Sequence, residues 1–163
     1  TFYFVWTGNK EKGTDYPHHH PKFDIDKDRV IHDPVKTVED LKYKVTSYLD
    51  YIEKNNLEGK VFILVDSIGN LASIKETEDA LENKNKVDMT RAKTIKSFYR
   101  IITTSVNLLN IPLVCINHTY KDQTGFVPQD IVGGGQGPLL SSDNVFIVQK
   151  KKHKNKEKKL KKE

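Results

Sequence analysis

Two apolar runs, each ending abruptly in polar residues, constrain this chain more than any other feature. Val61-Phe62-Ile63-Leu64-Val65 runs straight into Asp66-Ser67, and Ile111-Pro112-Leu113-Val114-Cys115-Ile116 into Asn117-His118. Short continuous apolar runs with polar borders suit strands covered on both faces. Helical stripes accompany them. Leu41, Val45, Tyr48, Leu49 and Ile52 recur at offsets of four, seven, eight and eleven, while Ala92, Ile95, Tyr99, Ile102 and Val106 share a second helical face. Thr37-Val38-Glu39-Asp40 gives the first stripe a capping hydroxyl and first-turn acids, and Asn55-Asn56 and Gly59 end it. Asn144–Val148 reads as a third strand and Phe2–Trp6 as a further candidate. Strand, long helical crossover, strand is the grammar of a parallel sheet with helices on both faces, so the expected fold class is α/β.

The chain has 163 residues, the length of one ordinary domain. That is long enough to bury a core without disulfides or metal. Its 27 Lys+Arg against 22 Asp+Glu give a net charge of +5, but the average misleads. Residues 150–163 hold nine lysines and two glutamates, leaving 18 basic and 20 acidic residues elsewhere. The body is therefore nearly neutral, and the basic tail is a general attractor of polyanions that reads as disordered or a frayed helix. Cys115 is the single cysteine, so no internal disulfide forms and the chain reads as intracellular. Within its apolar strand that thiol is expected to be an inert core residue. The apolar runs fall far short of the about 20 residues a membrane span needs, and no signal peptide opens the chain. The first residue is Thr1, which suggests a missing upstream part. Composition divides the chain into residues 1–22, 23–149 and 150–163.

Ligands of a parallel sheet gather outside the carboxyl ends of its strands. Asp66 stands there after five apolar residues, the Walker B arrangement in which an acid sits beside a nucleotide-bound Mg²⁺. The plainer alternative is an acid that caps the next turn. His118 ends the other strand, and alone it is more often a structural residue. A phosphate cradle requires G-x-x-x-x-G-K-[ST]. Gly8-Asn9-Lys10-Glu11-Lys12-Gly13-Thr14 has the glycine spacing but puts Thr14 where the lysine belongs, with Asp15 and Pro17 close behind. Gly133-Gly134-Gly135-Gln136-Gly137 is followed by Pro138 and an expected strand, and reads as a mobile loop. His18-His19-His20 lacks partner ligands at metal-site spacing and reads as an exposed turn.

Several blocks together carry a resemblance: Arg29-Val30-Ile31-His32-Asp33-Pro34-Val35, Val61 through Ser73, Lys75 through Leu81, Asp88 through Lys93, Ile111 through Tyr120, and Gly133 through Pro138. Across residues 23–149 the chain resembles the ATPase core of RecA-type recombinases, phage recombinases in particular. The resemblance implies a RecA-like P-loop NTPase core with a mostly parallel sheet and flanking helices. It implies ATP and Mg²⁺ as cofactors, with Asp66 on the metal side, acting through water, and Ser67 beside the nucleotide. His118 would sense the γ-phosphate. Lys75 to Asp88 would correspond to a first DNA-binding loop. Thr119 to Leu140 would be the second, including Phe126, Gly133, Gly134, Gly135, Gln136 and Gly137, since glycine freedom with an aromatic suits stacking on bases. Lys121 in that loop is offset by Asp122 and Asp130, so phosphate affinity must come largely from elsewhere. The implied partners are single-stranded DNA and a homo-oligomeric filament with no membrane, in a cytoplasmic, phage-encoded protein of recombination and repair. Departures are equally plain. The phosphate loop is absent, Glu11 is the nearest acid to the family's catalytic glutamate, and lysines replace the later strands. The expectation is a truncated core, inactive as an ATPase alone. A non-catalytic nucleic-acid-binding module and another ATPase of the same core, such as a helicase or clock-type ATPase, are the alternatives; the glycine loop and Lys75–Leu81 favour the recombinase over the latter.

Overall fold

A computed structural model describes residues 2–6, 30–83, 89–122 and 129–150. Four parallel strands form its main sheet: β1 (Phe2–Trp6), β2 (Val30–His32), β3 (Ile63–Asp66) and β4 (Leu113–Cys115), in the order β2-β1-β3-β4. Both expected apolar runs are strands, each trimmed by two residues at its start. Ile63, Leu64 and Val65 lie level with Leu113, Val114 and Cys115, and Tyr3 through Trp6 with Ile63 through Asp66. Parallel neighbours cannot be joined by tight turns, and the connections described, from β2 to β3 and from β3 to β4, are helical. Helix α1 (Val38–Lys54) carries the chain from β2 past β1 to β3, and α2 (Ile74–Leu81) and α3 (Thr90–Leu108) lie between β3 and β4.

The helices form where local chemistry favours them. Thr37 accepts the Asp40 N–H at 3.1 Å, and the Asp40 carboxylate accepts the Lys36 N–H at 3.2 Å, so the first turn of α1 is capped from both sides. Val38, Leu41, Val45, Leu49 and Ile52 are its buried stripe. Ser73 and Glu76 make a reciprocal capping box at α2: the Ser73 hydroxyl accepts the Glu76 N–H at 3.1 Å and Glu76 accepts the Ser73 N–H at 2.7 Å. Each of α1, α2 and α3 is followed by an asparagine at positive φ: Asn56 (52°), Asn83 (54°) and Asn110 (50°). After α1, the Asn56 and Leu57 N–H groups return to the Glu53 and Ile52 carbonyls; after α3, Asn110 and Ile111 return to Asn107 and Val106. Asparagine enters the left-handed region more readily than most side chains, and the returning bonds satisfy carbonyls the helix leaves open.

The core lies between one sheet face and the pair α1–α3. Ile63 and Val65 meet Leu41, Val45, Ile52, Ile95, Phe98 and Ile102 there, all fully buried. Two expectations need correction. The sheet is not covered on both faces among the described residues: Leu64 is half-buried and Val114 is 44% exposed. Asn144–Val148 forms no strand: it has no paired neighbour among the described residues, and Phe146 and Val148 stand 87% and 94% exposed. A small antiparallel hairpin instead follows β4, made of β5 (Thr119–Asp122) and β6 (Gln129–Val132). The short helix α4 (Gly137–Leu140) comes next, where a strand was expected after Pro138.

Candidate functional site

The carboxyl ends of β3 and β4 lie side by side. Val65 pairs with Cys115, its carbonyl accepts the Ile116 N–H at 2.9 Å, and the Ile116 carbonyl accepts the Ile68 N–H at 3.0 Å. Asp66, half-buried, leaves the end of β3 through a cis peptide to the buried Ser67. A single 3-10 turn, Ile68–Asn70, follows at once. Across from it, the exposed His118 ring nitrogen Nε2 lies 2.8 Å from Asn70 Oδ1. Gly69 makes this approach possible: a Cβ there would stand 2.5 Å from His118 Cδ2 and 2.8 Å from Asn117 Oδ1. Both distances are far inside van der Waals contact, so only glycine fits without displacement.

The glycine segment joins the same edge. Asn117 donates its side-chain amide to the Gly133 carbonyl at 2.8 Å, and the Gly133 N–H returns to the His118 carbonyl at 2.9 Å. Gly134 and Gly135 have φ near +80°, as does a chain turning sharply, and a Cβ on Gly134 would reach Ile95 Cδ1 at 2.7 Å. Gly137 and Pro138 are buried, with Gly137 against Lys96. The segment read as a mobile loop is thus seated on α3 by close backbone packing. Gln136, exposed, precedes α4.

The expected first DNA-binding loop is partly helical, since Ile74–Leu81 is α2 with its capping box and Lys75 pairs with Asp79 at 3.1 Å. Lys121 is neutralised as expected, by Asp130 at 2.7 Å across the hairpin. Phe126, Glu11, the near-match at residues 8–14, His18–His20 and residues 151–163 lie outside the described residues. Cys115 packs against the core, and burial pushes its thiol up to about 11, although a hydrogen bond with Tyr99 works the other way. Burial, with Cys115 alongside, raises the Tyr99 hydroxyl far above the ordinary tyrosine value. This thiol is a core group.

No protein-family model matches the chain. Over 131 residues it is 49% identical to a protein of Enterobacteria phage T4 named recombination and repair protein. The chain is similar to a phage recombination and repair protein. The match takes in 80% of this chain and 32% of the phage protein, so the chain spans about a third of its relative's length. Among the described residues, no helix is long and apolar enough to cross a membrane, and no group of three or more His, Cys, Asp or Glu could hold a metal ion.

Three residues of this relative of the phage protein escaped the sequence reading: Gly69, Asn70 and Arg91. Arg91, in the first turn of α3, donates Nε to the Leu71 carbonyl at 2.6 Å and Nη2 to the Gly69 and Ile68 carbonyls at 2.7 and 3.3 Å. A signal was available. A cation in the first turn of a helix opposes the macrodipole, and α3 has no acid in that turn, so Arg91 requires acceptors from elsewhere.

Proposed function

We propose that the chain is part of the core of a RecA-type recombinase resembling the phage recombinase UvsX, a DNA-dependent ATPase that forms filaments on single-stranded DNA during recombination and repair. The observation that carries this reading is the convergence of Asp66, His118 and the glycine segment at the carboxyl edge of two neighbouring parallel strands. An acid, a polar ring and a DNA-facing loop belong together in a protein whose nucleotide state governs its grip on DNA. Mg²⁺ takes few protein ligands when phosphates and water supply the rest, and a single strand-end carboxylate such as Asp66 fits that mode. In the complete protein Mg²⁺ supplies charge neutralisation to the γ-phosphoryl of ATP. Asp66 would hold the metal through water, Ser67 would line the nucleotide side, and His118 would donate to or accept from the phosphate edge. His118 is tied through its backbone to Gly133, so its position and that of the segment Gly133–Gly137 move together. In this reading Phe126 stacks on bases, and Glu11 is the acid nearest in sequence to the family's water-activating glutamate.

The test uses a complete protein carrying these residues. Coupling between two sites is reciprocal, so ATP tightens DNA binding by the factor by which DNA tightens ATP binding. His118→Ala is expected to reduce that factor more than it reduces nucleotide affinity without DNA. Gly134→Val is expected to weaken DNA binding and leave nucleotide affinity nearly intact. An unchanged coupling factor in His118→Ala removes the sensor role. The present chain, lacking a phosphate-loop lysine, is expected to release negligible phosphate from ATP with Mg²⁺ and single-stranded DNA. Charge favours a second reading, a non-catalytic nucleic-acid-binding module, because nine of the 27 basic residues lie in residues 150–163. Deleting that tail is then expected to flatten the salt dependence of DNA binding. A slope that does not change removes the tail from the interface.

A further inference from the structure

The first two turns of α3 touch both halves of the edge just described, by two unrelated contacts. Arg91 holds the 3-10 turn by donating to the carbonyls of Ile68, Gly69 and Leu71. One helical turn later, Ile95 receives Gly134, where a Cβ would lie 2.7 Å away. Asn70, the partner of His118, is the one residue of the span Ile68–Leu71 whose carbonyl Arg91 does not grip, so its backbone is fixed from both sides. The guanidinium is planar and its donors are rigidly disposed, so three carbonyls converging on it leave the turn little freedom. Two of those carbonyls flank Gly69, the residue that abuts the His118 ring.

We infer that Arg91 is a positioning residue: from α3 it fixes the turn Ile68–Asn70 so that Asn70 and Gly69 hold the His118 ring, while Ile95 on the same helix seats the glycine segment. Helix α3 is then a rigid brace between the Asp66 turn and the segment Gly133–Gly137. Its bearing on nucleotide and DNA rests on the proposed function, but the contact itself does not.

The test is therefore made on the free chain, with neither ATP nor DNA. Nuclear Overhauser effects are measured between Gly69 Hα and the His118 ring proton on Cδ2, and between Gly134 Hα and the Ile95 methyl on Cδ1. Both are expected in the unaltered protein. In Arg91→Met, which keeps an aliphatic stem and loses every donor, the Gly69–His118 effect is expected to vanish while the Gly134–Ile95 effect persists. Arg91→Lys restores a donor and is expected to recover part of the lost signal. Retention of the Gly69–His118 effect at full intensity in Arg91→Met overturns the assignment. Loss of both effects overturns it as well, since Arg91 then merely keeps α3 folded. If Arg91→Met does not fold, Arg91→Lys decides: an unchanged intensity sinks the inference and a reduced one with Gly134–Ile95 intact supports it. Because no nucleotide enters the measurement, the brace fails or stands apart from the recombinase reading.

Discussion

At Gly69 a single hydrogen separates a working contact from a collision. Gly69→Ala places a Cβ 2.5 Å from His118 Cδ2, and His118 rather than the tightly held turn must yield. The expected cost is about 1–3 kcal/mol, the usual range for overpacking, read from urea unfolding. The Asn70–His118 contact is lost with it. Cys115 offers a second residue-scale prediction. Its thiol is expected to resist iodoacetamide at pH 8 in the native protein and to react once urea exposes it, because burial holds it protonated. The sign of the linkage follows. A thiol raised from 9.0 to about 11 in the fold contributes stability that is whole below pH 9 and lost as pH climbs toward 11. Asp33 behaves oppositely. Partial burial raises its carboxyl, yet hydrogen bonds from Lys44 at 2.6 Å and Tyr48 at 2.7 Å, with the Lys44 charge, bring it below the ordinary 3.8. Its contribution is whole above that value and is lost as pH falls through it, and Asp33→Asn is expected to remove this acid limb from the pH–stability profile.

Helix boundaries here rest on small polar residues, and the asparagines make that measurable. Asn56→Gly is expected to be neutral or slightly stabilising, whereas Asn56→Ala is expected to cost about 1 kcal/mol, since alanine resists the left-handed region more than asparagine does. Thermal unfolding of the two variants side by side reads the difference. Much of this was legible beforehand. The Thr37 cap, the stripe Leu41 to Ile52, the stop at Asn55-Asn56 and the face Ile95 to Val106 all stand in the fold, because each is set by contacts within a few residues. The capping box of Ser73 and Glu76 went unread, because the resemblance placed a loop from Lys75 to Asp88. Asn144–Val148 shows the limit of reading by composition. Its apolar side chains satisfy a strand's preference, yet a strand exists only through a neighbour, and no local pattern announces the neighbour.

On the scale of the whole molecule the sheet is stitched from segments distant in sequence. β1 pairs with both β2 and β3, so its removal leaves β2 without its neighbour and opens one flank of β3. Deleting residues 1–6 is expected to abolish hydrogen-exchange protection at Ile63–Asp66 on the β1 side while α1 and α3 keep theirs, because the described core contacts of the helices lie with each other and with Ile63 and Val65 of β3. The candidate site was only half legible for the same reason. Asp66 and His118 announced themselves as polar ends of apolar strands. Gly69 did not, and Arg91 did so only as a cation in a helix's first turn, since the atoms they meet are delivered by elements distant in sequence and spacing along the chain does not name those partners.

The side-by-side placement of β3 and β4 also sets a timetable. Asp66 leaves the ribosome about fifty residues before His118, and at roughly 5–20 residues per second the interval is several seconds. During that interval the nascent β3 has an unclaimed flank on the side that β4 will occupy, with Ile63 and Val65 still waiting for α3 to cover them. Such a flank is a natural target for a holding chaperone or for a second nascent chain on the same message. Synonymous codons between Asn70 and Ile111 therefore bear on yield: slow translation there prolongs the exposed interval, and fast translation closes it.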